Sequence, residues 1–203
     1  MLHPKTELRW VSDEIGFGVF ATERIPKGTV LWVLDPLDQR LSPDQVRRIG
    51  RAVAPVVEKY TFRNRHGEYV LCWDHGRFIN HSCAAISLSP GVDFELAVTD
   101  VEPGQEITGD YGALNIDEPF ECLCGVPECR GTIFPNDFDR MVPTWDAKLQ
   151  SAVEHSNEVV QPLLSLIRRP SLLKRWAERP HLLPSAMLHR MERLNGAPAT
   201  LSA

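Results

Sequence analysis

The residues best suited to chemistry fall in two tight groups. Cys122-Leu123-Cys124-Gly125-Val126-Pro127-Glu128-Cys129 spaces three thiols as C-x-C-x4-C. Thiolates at this spacing suit tetrahedral zinc, which needs a fourth ligand; Cys83, His81 and His75 are available. The segment has too little apolar content to order itself, which favours ligation over three unrelated cysteines in a polar loop. The second group is Arg77-Phe78-Ile79-Asn80-His81-Ser82-Cys83. It places polar and ligand-type side chains just after apolar ones, an arrangement that is costly to bury without partners. Asn80-His81-Ser82 does not read as a hydrolase pair, because adjacent residues on an extended segment face opposite sides and no Gly-x-Ser-x-Gly elbow is present. Two smaller candidates remain. Gly16-Phe17-Gly18 is either a plain hairpin turn or a place where backbone approaches a ligand closely. Tyr111, within Gly109-Asp110-Tyr111-Gly112, is either a rim tyrosine bonded to a nearby carbonyl or a reactive one.

Short strands must position these groups. Val19-Phe20-Ala21-Thr22 follows the glycine turn, and Thr29-Val30-Leu31-Trp32-Val33-Leu34 has the β-branched and aromatic make-up of a buried strand. Tyr60-Thr61-Phe62 and Tyr69 to Trp73 flank a polar turn and read as a hairpin. Phe94 to Val98 and Glu106-Ile107-Thr108 complete the strand set. Ser42-Pro43-Asp44 is a helix start, with Ser42 as N-cap and Pro43 in the first turn. Many short strands with Gly/Pro turns predict a mainly β fold. After residue 134 the spacing of Leu149, Val153, Val160, Leu164 and Ile167 predicts a helix over 146–168, broken near Pro162. Further helices are expected over 171–178 and 185–195, the last closed by Gly196.

Composition narrows the classes. The chain has 203 residues, 43% apolar and 24% charged, with a net charge of −5. Such a balance suits a globular domain with a cationic partner and argues against an unaided nucleic-acid binder. No apolar run approaches the roughly 18 residues of a membrane-spanning helix, and the N-terminus lacks a signal core. Five cysteines, three of them clustered, point to metal ligation rather than a disulfide framework. Cys72, inside the strand-like run, reads as a buried small hydrophobe.

Taken in order, these pieces resemble the SET-domain protein lysine methyltransferases. Gly16-Phe17-Gly18-Val19-Phe20-Ala21-Thr22 with Ile25-Pro26-Lys27-Gly28 is similar to that family's first motif. Arg77 to Cys83 resembles its second, and Glu102-Pro103-Gly104-Gln105-Glu106-Ile107-Thr108 leading to Asp110-Tyr111-Gly112 its last. The cysteine segment resembles the post-SET zinc motif. The resemblance covers residues 8 to about 133. It implies small curved β-sheets and a knot-like threading of the last segment; the α-helical C-terminal extension falls outside it. It implies S-adenosylmethionine held by Gly16, Phe17, Gly18, Tyr60, Arg77, Asn80 and His81, and Tyr111 as catalytic tyrosine. One structural zinc would sit on Cys83, Cys122, Cys124 and Cys129. The chain departs from the family after Cys83, where x-Pro-Asn is replaced by Ala84-Ala85-Ile86-Ser87, and at Gly109, commonly Phe or Tyr. A glycine there leaves room for higher methylation.

The division that follows is a SET domain over 1–113 with a helical insert near 42–59, a zinc segment over 114–133 and a helical extension over 134–203. The expected partner is a lysine-containing basic protein, with no direct nucleic-acid or membrane contact. The helical stripe packs on the core or forms a homodimer surface. The expected setting is intracellular, cytoplasmic if bacterial and nuclear if eukaryotic. Two other readings keep the sequence features: a SET-fold module without turnover, and a zinc-stabilised interaction protein acting through its tail.

Overall fold

The computed structural model describes residues 1–191. Twelve short strands precede the main helices: β1 Thr6–Ser12, β2 Gly16–Ala21, β3 Val30–Val33, β4 Gln39–Leu41, β5 Thr61–Arg63, β6 Tyr69–Leu71, β7 Asn80–His81, β8 Ser87–Leu88, β9 Phe94–Ala97, β10 Glu106–Gly109, β11 Phe120–Glu121 and β12 Thr132–Ile133. Helices α1 (Pro43–Arg48) and α2 (Ala54–Tyr60) interrupt them; α3 (Asp137–Val153) and α4 (Pro170–Glu178) follow. A seven-stranded sheet runs β1-β2-β10-β8-β9-β3, with β7 alongside β10. β4-β6-β5 and β11-β12 form two smaller sheets. The mainly β fold with a helical C-terminal part is the expected one.

Local sequence explains most elements. Val30-Leu31-Trp32-Val33 is buried along its whole length, as a β-branched and aromatic run should be. The expected N-cap of α1 is present: Ser42 accepts from Gln45 N while the Gln45 side chain accepts from Ser42 N, and Pro43 opens the helix. β5 and β6 pair antiparallel as the predicted hairpin.

The decisive feature is long-range. β10 pairs antiparallel with β2 on one side and parallel with β7 and β8 on the other. Thr108 lies beside Asn80 and Gly109 beside His81. The segment before Tyr111 is thereby threaded between the glycine turn and the Asn-His pair.

The helical part differs from expectation in its bounds. α3 begins at Asp137, not near 146, and ends at Val153. Phe138, Val142, Trp145, Leu149 and Val153 form its buried stripe and join the core with Val30, Val33, Phe94 and Leu96. That burial holds the helix although Pro143 within it removes one backbone bond. Of the helix expected over 185–195, the described part, 185–191, holds one 3-10 turn, Ala186–His189; residues from 192 on, with Gly196, lie outside the described set. The contact of the extension with the sheets is close. At Gly28 (φ +86°) an added Cβ would stand 2.7 Å from the Ala152 carbonyl oxygen. The Gly28 carbonyl accepts from Ser156 Oγ and Gln161 Nε2, both at 2.8 Å.

Candidate functional site

Three strands meet at one spot. β2 brings Gly16, Phe17 and Gly18, β7 brings Asn80 and His81, and β10 leads into a 3-10 turn at Tyr111–Ala113. Asn80 Nδ2 donates to the Phe17 carbonyl at 3.0 Å and to Glu106 Oε1 at 2.7 Å. A Cβ on Gly18 would meet Asn80 Nδ2 and Val11 Cγ2, each at 3.0 Å, so glycine is what lets this backbone approach. Gly16 has φ +87°, the left-handed region that favours glycine. An aromatic chain rims the spot: Trp10 stands edge-on to Phe17 at 5.1 Å, Phe17 to Phe78 at 5.9 Å and Phe78 to Tyr60 at 5.3 Å. Trp10 is 57% and Phe17 42% exposed, an unusual amount for aromatic side chains unless they cover something. Arg77 adjoins the same rim. It is exposed and lies over the Phe78 ring at 5.3 Å.

Tyr111 follows β10 directly. Its hydroxyl donates to the Ile79 carbonyl at 2.8 Å, and its backbone N–H donates to His81 Nδ1 at 3.1 Å. Burial, with a smaller push from Glu106, raises its phenol to about 12. His81 and Phe120 pack around it, with ring centroids 5.5 and 6.0 Å away. At Gly109, two residues before, an added Cβ would sit in ordinary van der Waals contact with Ile79 Cγ2 at 3.6 Å.

The sulfur cluster adjoins the same residues. Ligand atoms of His81, Cys83, Cys122 and Cys124 all lie within 4.8 Å of one another. Cys83 Sγ and Cys122 Sγ are 3.8 Å apart, the separation that two thiolates at about 2.3 Å from one tetrahedral ion would have. Cys129 adjoins through its contacts with the Cys122 and Cys124 thiols. Against the upward push of burial, hydrogen bonds from the Cys83 and Val126 backbone and from neighbouring thiols bring Cys124 down to about 6. Burial pushes Cys122 up. The donor set fits a thiophilic ion. His81 Nδ1 accepts from Tyr111 N, so the ring proton sits on Nε2, 3.5 Å from Cys83 Sγ. His81 therefore donates toward the sulfur, and its free lone pair is spent. Cys72 stands apart and buried, and burial raises its thiol.

Two residues that the sequence reading missed tie these parts together. Arg130 donates through Nε to Cys83 Sγ at 3.3 Å, through NH2 to Asp110 Oδ1 at 2.5 Å and through NH1 to Asp137 Oδ2 at 3.1 Å. Asp110 also accepts from Trp145 Nε1 at 3.1 Å and Gly112 N at 3.0 Å. One guanidinium thus joins the sulfur cluster, the residue before Tyr111 and the first turn of α3. The signal was a charged residue beside a ligand cysteine; its partners lie far off in sequence, and no spacing encodes them.

Comparison with known proteins agrees with this geometry. The SET domain family model matches residues 16–112. Over 126 residues the chain is 30% identical to an H3 lysine-4 specific histone-lysine N-methyltransferase of Schizosaccharomyces pombe, covering 56% of this chain and 14% of that protein. Over 142 residues it is 28% identical to the histone-lysine N-methyltransferase SETD1 of Drosophila melanogaster, covering 64% and 8%. The methyltransferase domain of human histone-lysine N-methyltransferase SETMAR is 21% identical, with a TM-score of 0.45 over 66% of this chain and 58% of that one. Residues 16–112, a little under half of the chain, thus match the SET domain family.

Proposed function

We propose that the protein transfers methyl groups from S-adenosylmethionine to a lysine side-chain amine of a basic protein. The observation that supports this is the pairing of β10 with β2 on one edge and β7 on the other, which draws the segments carrying Gly16, Phe17, Gly18 and Asn80 to the strand that leads into Tyr111. The residues fit the cofactor's chemistry. The Phe17 carbonyl, the Asn80 amide and the Glu106 carboxylate converge, which suits an amino-acid moiety, and Phe17, Phe78 and Tyr60 offer flat surface for a base. When bound, the cofactor supplies a methyl group activated on a sulfonium.

This chain's residues then have distinct tasks. Tyr111 commits its proton to the Ile79 carbonyl, so its oxygen presents lone pairs that can orient a substrate amine. With its phenol raised to about 12 it is not a base. The apolar surroundings of Ile79, Phe120 and Tyr111 disfavour an ammonium, whose free pKa is about 10.4, and so help deliver the neutral amine. Gly16, Phe17, Gly18, Tyr60, Arg77, Asn80 and His81 hold the cofactor. Cys83, Cys122, Cys124 and Cys129 hold a structural zinc that fixes 114–133 beside Tyr111. Residues 1–113 form the SET unit and 134–203 its extension. An intracellular setting follows from this activity, and a histone is one basic substrate in keeping with the names of the relatives.

The test uses cofactor with a labelled methyl group, a mixture of histones and basic lysate proteins, and the Tyr111→Phe variant. Label recovered as methyl-lysine with the natural chain and lost with the variant is the expected result. Label that persists with the variant would remove Tyr111 from the reaction. Cofactor binding without any labelled lysine would favour a module without turnover.

A further inference from the structure

The charge of the chain is segregated. Residues 1–158 carry 15 Lys/Arg against 25 Asp/Glu, whereas residues 159–190 carry six against one, Glu178. Five of those six cations, Arg168, Arg169, Lys174, Arg175 and Arg179, lie on α4 or at its ends, and all are exposed. Leu173 and Trp176 anchor the opposite face of the helix in the core, at 2% and 7% exposure. Lys174 and Arg175 are therefore held outward on a helix about 13 Å long, and Arg168, Arg169 and Arg179 flank its two ends. Among the described residues none of the five makes an ion pair. The sixth, Arg190, pairs with Asp139, and the nearby acid Glu158 faces His155 at 3.3 Å.

Such a surface repels the basic substrate that the acidic remainder attracts, so its complement is a polyanion. Four of the five cations are arginines, whose planar forks match phosphate oxygens two at a time. A 13 Å row spans about four phosphates of one strand at ~3.4 Å each. A membrane surface fits less well. The apolar face of α4 is already buried in the core, so no amphipathic helix is free to enter a headgroup layer. We propose that α4 and its flanks form a sequence-independent docking face for the phosphodiester backbone of a nucleic acid. The face would hold the protein beside basic proteins bound to the same polymer. The whole-chain acidity that argues against a nucleic-acid partner averages over two regions of opposite sign. Docking requires no turnover, so it stands or falls separately from the proposed reaction.

The test is fluorescence anisotropy of the full chain with three probes: a mixed-sequence 30-base-pair DNA duplex, a 30-nucleotide RNA and vesicles containing phosphatidylserine. At about 50 mM salt, micromolar binding to DNA, RNA or both is expected, and the stronger arm names the polymer. The slope of log K against log salt should be about −4 to −5, near −0.9 per phosphate contact. The variant Arg168→Ala/Arg169→Ala/Arg175→Ala/Arg179→Ala should bind about 100-fold more weakly with a slope near −1, and replacing the same four with Lys should keep most of the slope. Arg48→Ala/Arg51→Ala, which removes exposed cations elsewhere, should change affinity less than about twofold. Absence of nucleic-acid binding, binding to vesicles alone, or an equal loss in the control variant would overturn the proposal.

Discussion

The cysteine segment and the helical extension flank the same knot, yet they are held by different physics. In 114–133 the strands are two residues long, and of its side chains only Cys122 and Ile133 are buried hydrophobics. In α3, by contrast, Phe138, Val142, Trp145, Leu149 and Val153 lie in the main core. Apolar burial fixes the extension; ligand chemistry and polar contacts must fix the cysteine segment, which cannot bury enough surface by itself. The two regions touch at Arg130, whose guanidinium spans Cys83, Asp110 and Asp137. The difference teaches that a site can borrow rigidity from two unlike sources at once.

Breaking the apolar side should have the largest effect. Trp145→Ala empties a core position 2% exposed and strips Asp110 of a donor. Denaturant unfolding should show a loss of about 3–5 kcal/mol; a loss below about 1 kcal/mol would mean that the extension does not stabilise the fold. Removing metal should act on the other region. With a strong chelator, or in Cys122→Ser, bound zinc should fall well below one per chain and proteolysis should cut within 114–133, while α3 stays protected. Cys72→Ser should retain full metal. If Cys129→Ala keeps its zinc, Cys129 is not a ligand.

The contact between the regions comes next. Arg130→Lys keeps the charge but cannot bridge three partners. Methyl transfer should slow about tenfold or more in kcat with cofactor affinity and metal content unchanged, a split that plain misfolding would not give. The smallest effect expected is an acid sensitivity specific to the extension. His189 is half-buried against Phe62, and desolvation lowers its pKa to about 4. A group whose folded pKa lies below its unfolded value of about 6.5 contributes stability at neutral pH that is lost as pH falls from about 6.5 towards 4. Unfolding measured at pH 7 and pH 5 should show about 2 kcal/mol lost through this group. His189→Gln should flatten the profile; an unchanged profile would place the imidazole in water.

Local signals made much of this legible in the sequence. The Ser42–Gln45 capping box, the apolar run of β3, the β5–β6 hairpin and the cysteine spacing each depend on residues a few positions apart. The threading did not: β7 is two residues long, too short for periodicity, and its partner lies 28 positions on. The start of α3 was hidden because Pro135 and Pro143 flank its first turns, and only the tertiary stripe from Phe138 to Leu149 overrides them. Phe120 and Arg130 join the site chiefly through partners far off in the chain, His81 for the one and Cys83 and Asp110 for the other, so their neighbourhoods said little of these roles.

The central claim is that the knot separates cofactor holding from amine positioning. Calorimetric titration of S-adenosylmethionine into the natural chain, Asn80→Ala and Tyr111→Phe tests it directly, with turnover measured on the same samples. The account predicts cofactor affinity lost by at least tenfold in Asn80→Ala, and unchanged in Tyr111→Phe while turnover falls by a hundredfold or more. Equal cofactor affinity in all three, or loss of binding in Tyr111→Phe alone, would contradict it.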